Sequence, residues 1–225
     1  SDLFLSYNEF VFSRYSPRAI VCMNDWDTVV KPLVQRANAQ NIPTIGIVEG
    51  VQDYLDVDTG RKRYPYREVS SVFLTGDFDR KYFEGSNQQL YSIGVQRLEG
   101  LDAYKENRAQ AINASDRSPF VVLNVNFSYG VMIDRRAQWI EDVSSACTLA
   151  GLELVISQHP QDDADLSDYN VSKQPLYELL TKASFFISRF SGAILESLVI
   201  GCPVIYYNGH DEKIDKFFDP MGAYE

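Results

Sequence analysis

Residues 176–208 read LYELLTKASFFISRFSGAILESLVIGCPVIYYN, and their apolar runs, broken by polar residues and glycine, predict four elements in a row. The four are a helix over 176–183, a strand over 185–188, a helix over 192–200 and a strand over 203–206. Gly201 directly follows the second helix, at the position where glycine commonly ends a helix. Strands that alternate with helices predict a parallel sheet with helices on both faces.

The same alternation extends toward the N-terminus. The apolar run over 120–125 predicts a buried strand, and residues 134–150 and 153–157 predict the helix and the strand that follow it. An earlier series begins with strands over 19–23 and 44–48. Its other predicted elements are a helix over 27–40, weaker strands over 71–74 and 89–93, and a short helix over 77–83. Both series therefore predict α/β structure.

The polar segment 105–118 separates the two series and is predicted to be a linker. We expect an α/β protein with two Rossmann-like doubly wound parallel-sheet lobes, the first over 1–104 and the second over 119–225. The first lobe is short for such a fold, and we expect it to be incomplete.

The composition excludes several classes of protein. The chain has 225 residues, 45% of them hydrophobic, and a formal charge of −10, which excludes a disordered or fibrous chain. The acidic excess argues against nucleic acid as a partner. No apolar run approaches the ~20 residues of a membrane span, so we expect membrane contact to be peripheral at most. Cys22, Cys147 and Cys202 form no CxxC pair, which favours a reduced cytoplasmic setting and predicts no metal site.

Ligands of open parallel sheets bind beyond the carboxyl ends of the strands, so the residues that follow each strand are the candidates for a site. In the second lobe His159 and Pro160 follow one strand, and the imidazole could donate to a phosphate. The alternative is an ordinary loop histidine. The connection from the next strand to a helix contains Ser188, Arg189, Ser191 and Gly192, and these residues predict an anion site. A carboxylate follows them in the helix.

That carboxylate is Glu196, one turn into the helix, where it could hold the ribose diol of a nucleotide. The alternative is that Ser191 only caps the helix and that Glu196 is a solvated helix residue. The segment contains neither a Walker A loop nor a GxGxxG motif.

Acidic residues follow the first two strands of the first lobe. Asp27 comes after one strand, and Glu49 and Asp53 come after the other. Because parallel strands end at one edge, these carboxylates are candidates for a catalytic acid or base. The alternative is a helix cap at Asp27 and a loop carboxylate at Glu49.

The second lobe resembles the nucleotide-sugar-binding lobe of GT-B glycosyltransferases and of the non-hydrolysing UDP-GlcNAc 2-epimerases. The resemblance lies in LVISQHPQDD (154–163) and in the segment 176–208. It implies that Glu196 binds the ribose and that Ser191 and Gly192 meet phosphate. The His-Pro element followed by a serine element is also typical of transferases that use CMP-sugars. Residues 24–54 are similar, more faintly, to the epimerases, with Asp27 and Glu49 at matching separation.

The chain departs from the epimerase pattern at three places. Residues 123–127 read LNVNF, without the histidine and arginine of the epimerases' Thr-x-His-Arg-x-Glu-Asn signature. Val48 replaces the histidine before Glu49, and no Pro-Glu-Glu segment is found. These departures favour a transferase over an epimerase.

We therefore expect a metal-independent glycosyltransferase without a cofactor, which moves a sugar from a CMP- or UDP-linked donor to a glycan or lipid-linked acceptor. The resemblance implies a role in capsule, lipopolysaccharide or similar surface-polysaccharide synthesis, in the cytoplasm at the inner face of the cell membrane. Two alternatives remain: a UDP-GlcNAc 2-epimerase-like epimerase or hydrolase, and a non-catalytic nucleotide-sugar-binding domain of a larger synthase.

Overall fold

The computed structural model describes the protein at residues 2–48, 55–56, 61–62, 66–113, 119–127 and 132–209. The chain divides into two units, Ser1–Gln96 and Arg97–Glu225. Each unit has a four-stranded sheet in which every paired strand runs parallel to its neighbour. The predicted α/β class with two Rossmann-like lobes is confirmed.

In the first unit the sheet has the order β1-β2-β5-β6, and β3 and β4 form a separate antiparallel pair. Val34 from a helix and Val72 and Leu74 from the sheet are fully buried in one hydrophobic core. The elements in chain order are α1 (Asp2–Tyr15), β1 (Ile20–Cys22), α2 (Val30–Ala39), β2 (Thr44–Ile47), β3 (Leu55–Asp56), β4 (Arg61–Lys62), β5 (Ser71–Leu74), a 3-10 helix (Asp77–Phe83) and β6 (Gln89–Ser92).

Tyr66 ties together the ends of β1 and β2. Its hydroxyl lies 2.6 Å from the carbonyl oxygen of Met23 and also contacts the carbonyl oxygen of Ile47. Its ring lies against Gly46, where an added Cβ would be 2.3 Å from the ring atom Cδ1. The close approach of this ring therefore requires glycine at position 46.

In the second unit the sheet has the order β10-β9-β7-β8. Leu123 and Val125 of β7 and Ile156 of β8 are fully buried, and Trp139 packs over them. The elements in chain order are a 3-10 helix (Gln96–Leu98), α3 (Asp102–Asn113), β7 (Phe120–Val125), a 3-10 helix (Ile133–Arg135), α4 (Arg136–Leu149), β8 (Glu153–Gln158), α5 (Leu176–Leu180), β9 (Phe185–Ser188), α6 (Ala193–Ile200) and β10 (Val204–Tyr206).

Much of the segment predicted as a linker, 105–118, is helical. Residues up to 113 belong to α3, which packs against α5 and α6, while 114–118 lie outside the described residues. The boundary between the units falls after Gln96 instead of after residue 104. The sequence does not reveal α3 because Arg108, which is 5% exposed, occupies the buried face of this helix. The helix therefore lacks the apolar stripe by which a buried helix is usually recognised.

Candidate functional site

The carboxyl ends of β7, β8, β9 and β10 lie at one edge of the second sheet, because all four strands are parallel. The segments that follow β8 and β9 flank the end of β7, which lies between these strands in the sheet. They contain the predicted residues His159 and Pro160 on one side and Ser188–Gly192 on the other. The structure therefore brings the candidate residues of this lobe to one edge.

Asn124, near the end of β7, connects the two candidate serines. Its Nδ2 donates to Ser188 Oγ at 3.1 Å and to Ser191 Oγ at 3.3 Å. The Ser188 hydroxyl is fully buried and donates to the carbonyl oxygen of Arg189. Ser191 Oγ accepts the N–H of Ala193, the first residue of α6, at 3.2 Å. Ser191 thus has the capping function of the alternative interpretation, at the same place where a phosphate would meet the helix.

Arg189 is buried and lies beside an aromatic hollow. Its Nη1 donates to the carbonyl oxygen of Asn126 at 3.1 Å, and its guanidinium carbon is 4.7 Å from the centre of the Phe127 ring. Asn126 in turn donates to the carbonyl oxygen of Phe190. The hollow is lined by Phe127, Met132, Trp139, Arg189, Tyr207, Asn208 and Gly209.

His159 is held by its backbone and its ring. Its N–H donates to the carbonyl oxygen of Val125 at 2.8 Å, and its Nδ1 accepts the N–H of Gln161 at 3.1 Å. In the neutral imidazole the proton therefore lies on Nε2, which is the ring's donor to a ligand. Pro160 is exposed and directly follows.

Glu196 is 6% exposed, so it is not the solvated helix residue of the alternative interpretation. Its Oε1 lies 3.4 Å from Nε of Arg97. Burial raises the pKa of the Tyr177 phenol, and the charge of Glu196 and a hydrogen bond to it raise that pKa further. The carboxylate therefore pairs with a cation and also influences a nearby phenol.

Arg97 is a residue that the sequence interpretation missed. A Cβ at Gly192 would lie 2.2 Å from its Nη2, so the guanidinium packs against the start of α6. Arg97 follows the predicted strand over 89–93 by a few residues. Because that strand belongs to the first sheet and Arg97 precedes every strand of the second, the rule that site residues follow strands gives no signal for Arg97.

The candidate carboxylates of the first unit are only partly described. Oδ1 of Asp27 accepts the N–H groups of Val29 and Val30, each at 2.7 Å, and so caps α2, as the alternative interpretation expects. Glu49 and Asp53 lie outside the described residues, so their predicted catalytic roles stay predictions. Asp25, which is fully buried and accepts backbone N–H groups at 67–69, has a structural role that the sequence did not reveal.

Two other features are absent from the described part of the chain. No group of three or more His, Cys, Asp or Glu residues there could hold a metal ion. None of the described helices is long and apolar enough to cross a membrane.

No family model and no curated protein sequence matches the chain, but solved structures do. It is similar to the UDP-GlcNAc 2-epimerase of Methanocaldococcus jannaschii in complex with UDP-GlcNAc and UDP, with a TM-score of 0.62, 14% identity, and coverage of 91% of this chain and 63% of that one. The chain is also similar to the UDP-GlcNAc 2-epimerase of Neisseria meningitidis bound to UDP-GlcNAc, with a TM-score of 0.61, 16% identity, and coverage of 91% of this chain and 63% of that one. A variant of the wall teichoic acid polymerase TagF matches with a TM-score of 0.53, 11% identity, and coverage of 88% of this chain and 56% of that one.

These likenesses define the class of fold: the chain has a GT-B-like α/β fold with two Rossmann-like lobes. The particular proteins that it resembles within this class are the epimerases and the polymerase. It spans less than two thirds of the length of each of the three.

Proposed function

We propose that the second unit binds the nucleotide part of a nucleotide sugar, and that the protein is a glycosyltransferase. The observation that carries this proposal is the position of Ser188, Ser191, Gly192 and the start of α6 at one sheet edge, with His159 across the end of β7. The epimerases with similar folds are solved with UDP or UDP-GlcNAc, which supports a UDP-linked donor; a CMP-linked donor is the other candidate.

The phosphate groups would bind at the start of α6. The helix dipole has its positive end there, and the Ser191 hydroxyl lies at the same turn. His159 would donate from Nε2 to the leaving phosphate, because its Nδ1 accepts a backbone N–H. These groups would stabilise the charge that develops on the leaving group without a metal or cofactor.

The aromatic hollow offers no face to the base, because the Phe127 and Trp139 side chains are only 1% and 2% exposed. The Phe127 and Trp139 rings meet edge to face, with centroids 5.5 Å apart, and the Trp139 and Tyr207 rings are stacked at 6.0 Å. Trp139 Nε1 donates to the carbonyl oxygen of Tyr207, which fixes the indole. These rings therefore hold Arg189 in place beside the site, through the contact of its guanidinium with the Phe127 ring, and do not contact the base.

The residues at the end of β7 favour a transferase over an epimerase. Asn124 and Asn126 stand in the segment where the epimerase signature carries histidine and arginine, and both amides support the β9–α6 connection. An epimerase or hydrolase remains the second candidate, because the similar structures include UDP-GlcNAc 2-epimerases. The acceptor would be a glycan or a lipid-linked glycan in surface-polysaccharide synthesis.

Isothermal titration with UDP, CMP, GDP and UDP-GlcNAc tests nucleotide binding. We expect UDP or CMP to bind and Ser191→Ala to weaken that binding about tenfold, the effect of one lost hydrogen bond to a charged group. Ser145→Ala, an exposed serine of α4, is the matched control and should bind as the wild type does. A wild-type protein that binds none of these ligands would contradict the proposal.

Incubation with the nucleotide sugar that binds separates the candidates. A transferase forms product only when a glycan acceptor is added. An epimerase releases the epimer without an acceptor, and a hydrolase releases free sugar. If the protein binds the nucleotide sugar but shows no turnover in all of these conditions, the result supports the third candidate, a non-catalytic nucleotide-sugar-binding domain.

A further inference from the structure

Asp162 carries a buried carboxylate shortly after His159 in the chain. Its side chain is fully buried and accepts hydrogen bonds from several parts of the second unit. Its Oδ2 accepts the backbone N–H of Phe127, just beyond the end of β7, at 2.8 Å. Its Oδ1 accepts the N–H of Ala164 and Nη1 of Arg136, the first residue of α4, each at 3.0 Å. Because all of these donors converge on one carboxylate, Asp162 fastens its segment to both β7 and α4.

The segment from His159 to Asp162 is a turn that determines where the imidazole lies. The N–H of Asp162 donates to the carbonyl oxygen of His159 at 2.8 Å, which is the hydrogen bond that closes a β-turn. Within the turn, Nδ1 of the imidazole accepts the N–H of Gln161 at 3.1 Å. The N–H of Gln161 faces the ring only while the turn keeps this shape. The direction of the ring therefore depends on whatever holds the turn.

Both ends of this turn are held by the structure around it. At its start, Gln158 donates from Nε2 to the carbonyl oxygens of Asp162 at 3.1 Å and of Ala164 at 2.9 Å. The N–H of His159 donates to the carbonyl oxygen of Val125 in β7 at 2.8 Å. At its end, the carboxylate of Asp162 makes the contacts described above. Polar groups that are satisfied in this way rigidify the segment and specify one conformation.

We infer, on the basis of the proposed nucleotide site, that Asp162 is a positioning residue for His159 and that Arg136 supports it. By holding the turn, the carboxylate keeps Nδ1 as an acceptor, so that the proton stays on Nε2, the nitrogen that would donate to the leaving phosphate. Asp162 acts through His159, because its own side chain is fully buried. A donor that is fixed before the ligand binds needs no reorganisation when charge develops on the leaving group.

The tautomer of His159 in the free protein tests the inference without any ligand. The chain has two histidines, so His210→Gln leaves His159 as the only signal in a nuclear magnetic resonance spectrum of protein with 15N-labelled histidine. At alkaline pH, where imidazoles are neutral, we expect the Nε2–H tautomer alone in this background. We expect both tautomers after Asp162→Asn, because an amide nitrogen cannot accept a hydrogen bond and the turn loses part of its anchor. A single tautomer in the folded Asp162→Asn variant would overturn the inference.

Asp163→Asn is the matched control. Asp163 contacts the same nitrogen of Arg136 at 2.9 Å, but its side chain is 82% exposed. We expect this variant to keep the single tautomer. If it releases the imidazole as much as Asp162→Asn does, the buried anchor is not the cause and the inference is wrong.

Arg136→Gln is the second variant, which serves if Asp162→Asn does not fold. It removes the cation but leaves the backbone N–H groups of Phe127 and Ala164 on the carboxylate of Asp162. We expect the second tautomer to appear in a smaller proportion than after Asp162→Asn. An unchanged single tautomer would contradict the supporting role of Arg136.

The rate of sugar transfer shows whether the fixed tautomer serves the reaction. We expect Asp162→Asn to lower kcat about tenfold or more, because a misplaced general acid loses part of its effect, and to change the affinity for UDP or CMP by less than about threefold. In a protein that already carries His159→Gln, Asp162→Asn should lower kcat no further. An equal loss with and without His159 would show that Asp162 acts only on the fold, and the inference would fall.

The tautomer and the rate separate the inference from the proposed function. If the wild type transfers sugar and Asp162→Asn keeps the single tautomer, the inference is wrong while the proposed function stands. If the wild type binds no nucleotide but Asp162→Asn releases the tautomer, the proposed function fails and the positioning of the ring by Asp162 stands. Mixed tautomers in the His210→Gln background overturn the inference whatever the protein binds.

Discussion

Arg108 donates from Nε to the carbonyl oxygen of Gly201 at 2.9 Å, which joins α3 to the residue that ends α6. Its Nη1 donates to the carbonyl oxygens of Leu180 and Ala183 at 2.7 and 2.8 Å. One buried guanidinium therefore satisfies backbone acceptors at the ends of two helices, where carbonyl groups have no partner within the helix.

Arg108→Ala is expected to lower the free energy of unfolding of the second unit by about 3 kcal/mol, because buried carbonyl groups lose charge-assisted hydrogen bonds. Urea denaturation followed by far-ultraviolet circular dichroism measures this change. Arg135→Ala, at an exposed position, should change it by less than about 0.5 kcal/mol. Equal unfolding midpoints for Arg108→Ala and the wild type would show that α3 does not depend on this side chain.

Gly46→Ala is expected to destabilise the first unit by about 2 kcal/mol or more, because the new methyl group would overlap the Tyr66 ring. Thermal unfolding measures the loss. Gly76→Ala is the matched control: its backbone is extended at φ −178° and no atom lies within 4 Å of an added Cβ. The explanation fails if the two variants unfold at the same temperature.

Cys22 predicts a dependence of stability on pH. Burial, with added repulsion from Asp25 and Asp27, raises the pKa of its thiol from 9.0 to about 11. The folded state therefore holds the proton more tightly than the unfolded state does. This contribution to stability is complete below pH 9.0 and is lost as the pH rises from 9.0 to about 11.

The comparison of wild type with Cys22→Ala isolates this contribution. Their difference in unfolding free energy should stay constant up to pH 9 and change above it in the direction of lower wild-type stability. A difference that is flat up to pH 11 would show that the thiol has its ordinary pKa in the folded protein.

Glu49→Gln tests the catalytic carboxylate that the sequence predicts. The variant keeps the shape of the side chain but cannot act as a base, so we expect loss of sugar transfer by about 100-fold or more with unchanged affinity for the nucleotide. Glu84→Gln, an exposed carboxylate of the same unit, is the control and should transfer sugar normally. If Glu49→Gln turns over at the wild-type rate, Asp53 and Asp27 are the remaining candidates.

The strands of the two parallel sheets could be predicted from sequence, because a strand buried on both faces is a continuous apolar run, whereas the short antiparallel strands β3 and β4 were not predicted. The predictions over 71–74, 120–125 and 185–188 match β5, β7 and β9 residue for residue. The two α-helices that the sequence did not predict, α1 and α3, lack a comparably clear signal. In α1, Asn8 is buried while Tyr7 and Phe10 are exposed, which reverses the usual pattern of an amphipathic helix.

The location of the candidate site could be predicted from the sequence, but the contacts between its residues could not. Parallel strand ends indicate which segments share an edge, and this rule located His159 and Ser188. It does not indicate that Glu196 faces Arg97, because that pairing depends on how residues far apart in the chain pack. It also does not distinguish a ligand contact at Asp27 from the cap that its carboxylate forms.

The placement of the two tryptophans gives each unit its own optical label. The chain contains two tryptophans; Trp26 in the first unit is 63% exposed, whereas Trp139 in the second unit is 2% exposed and stacked on Tyr207. An indole in an apolar surrounding emits at shorter wavelength than one in water. Unfolding of the second unit should therefore shift the emission to the red, whereas unfolding of the first should leave its wavelength almost unchanged. Fluorescence spectra recorded during denaturation can thus report which of the two units unfolds first.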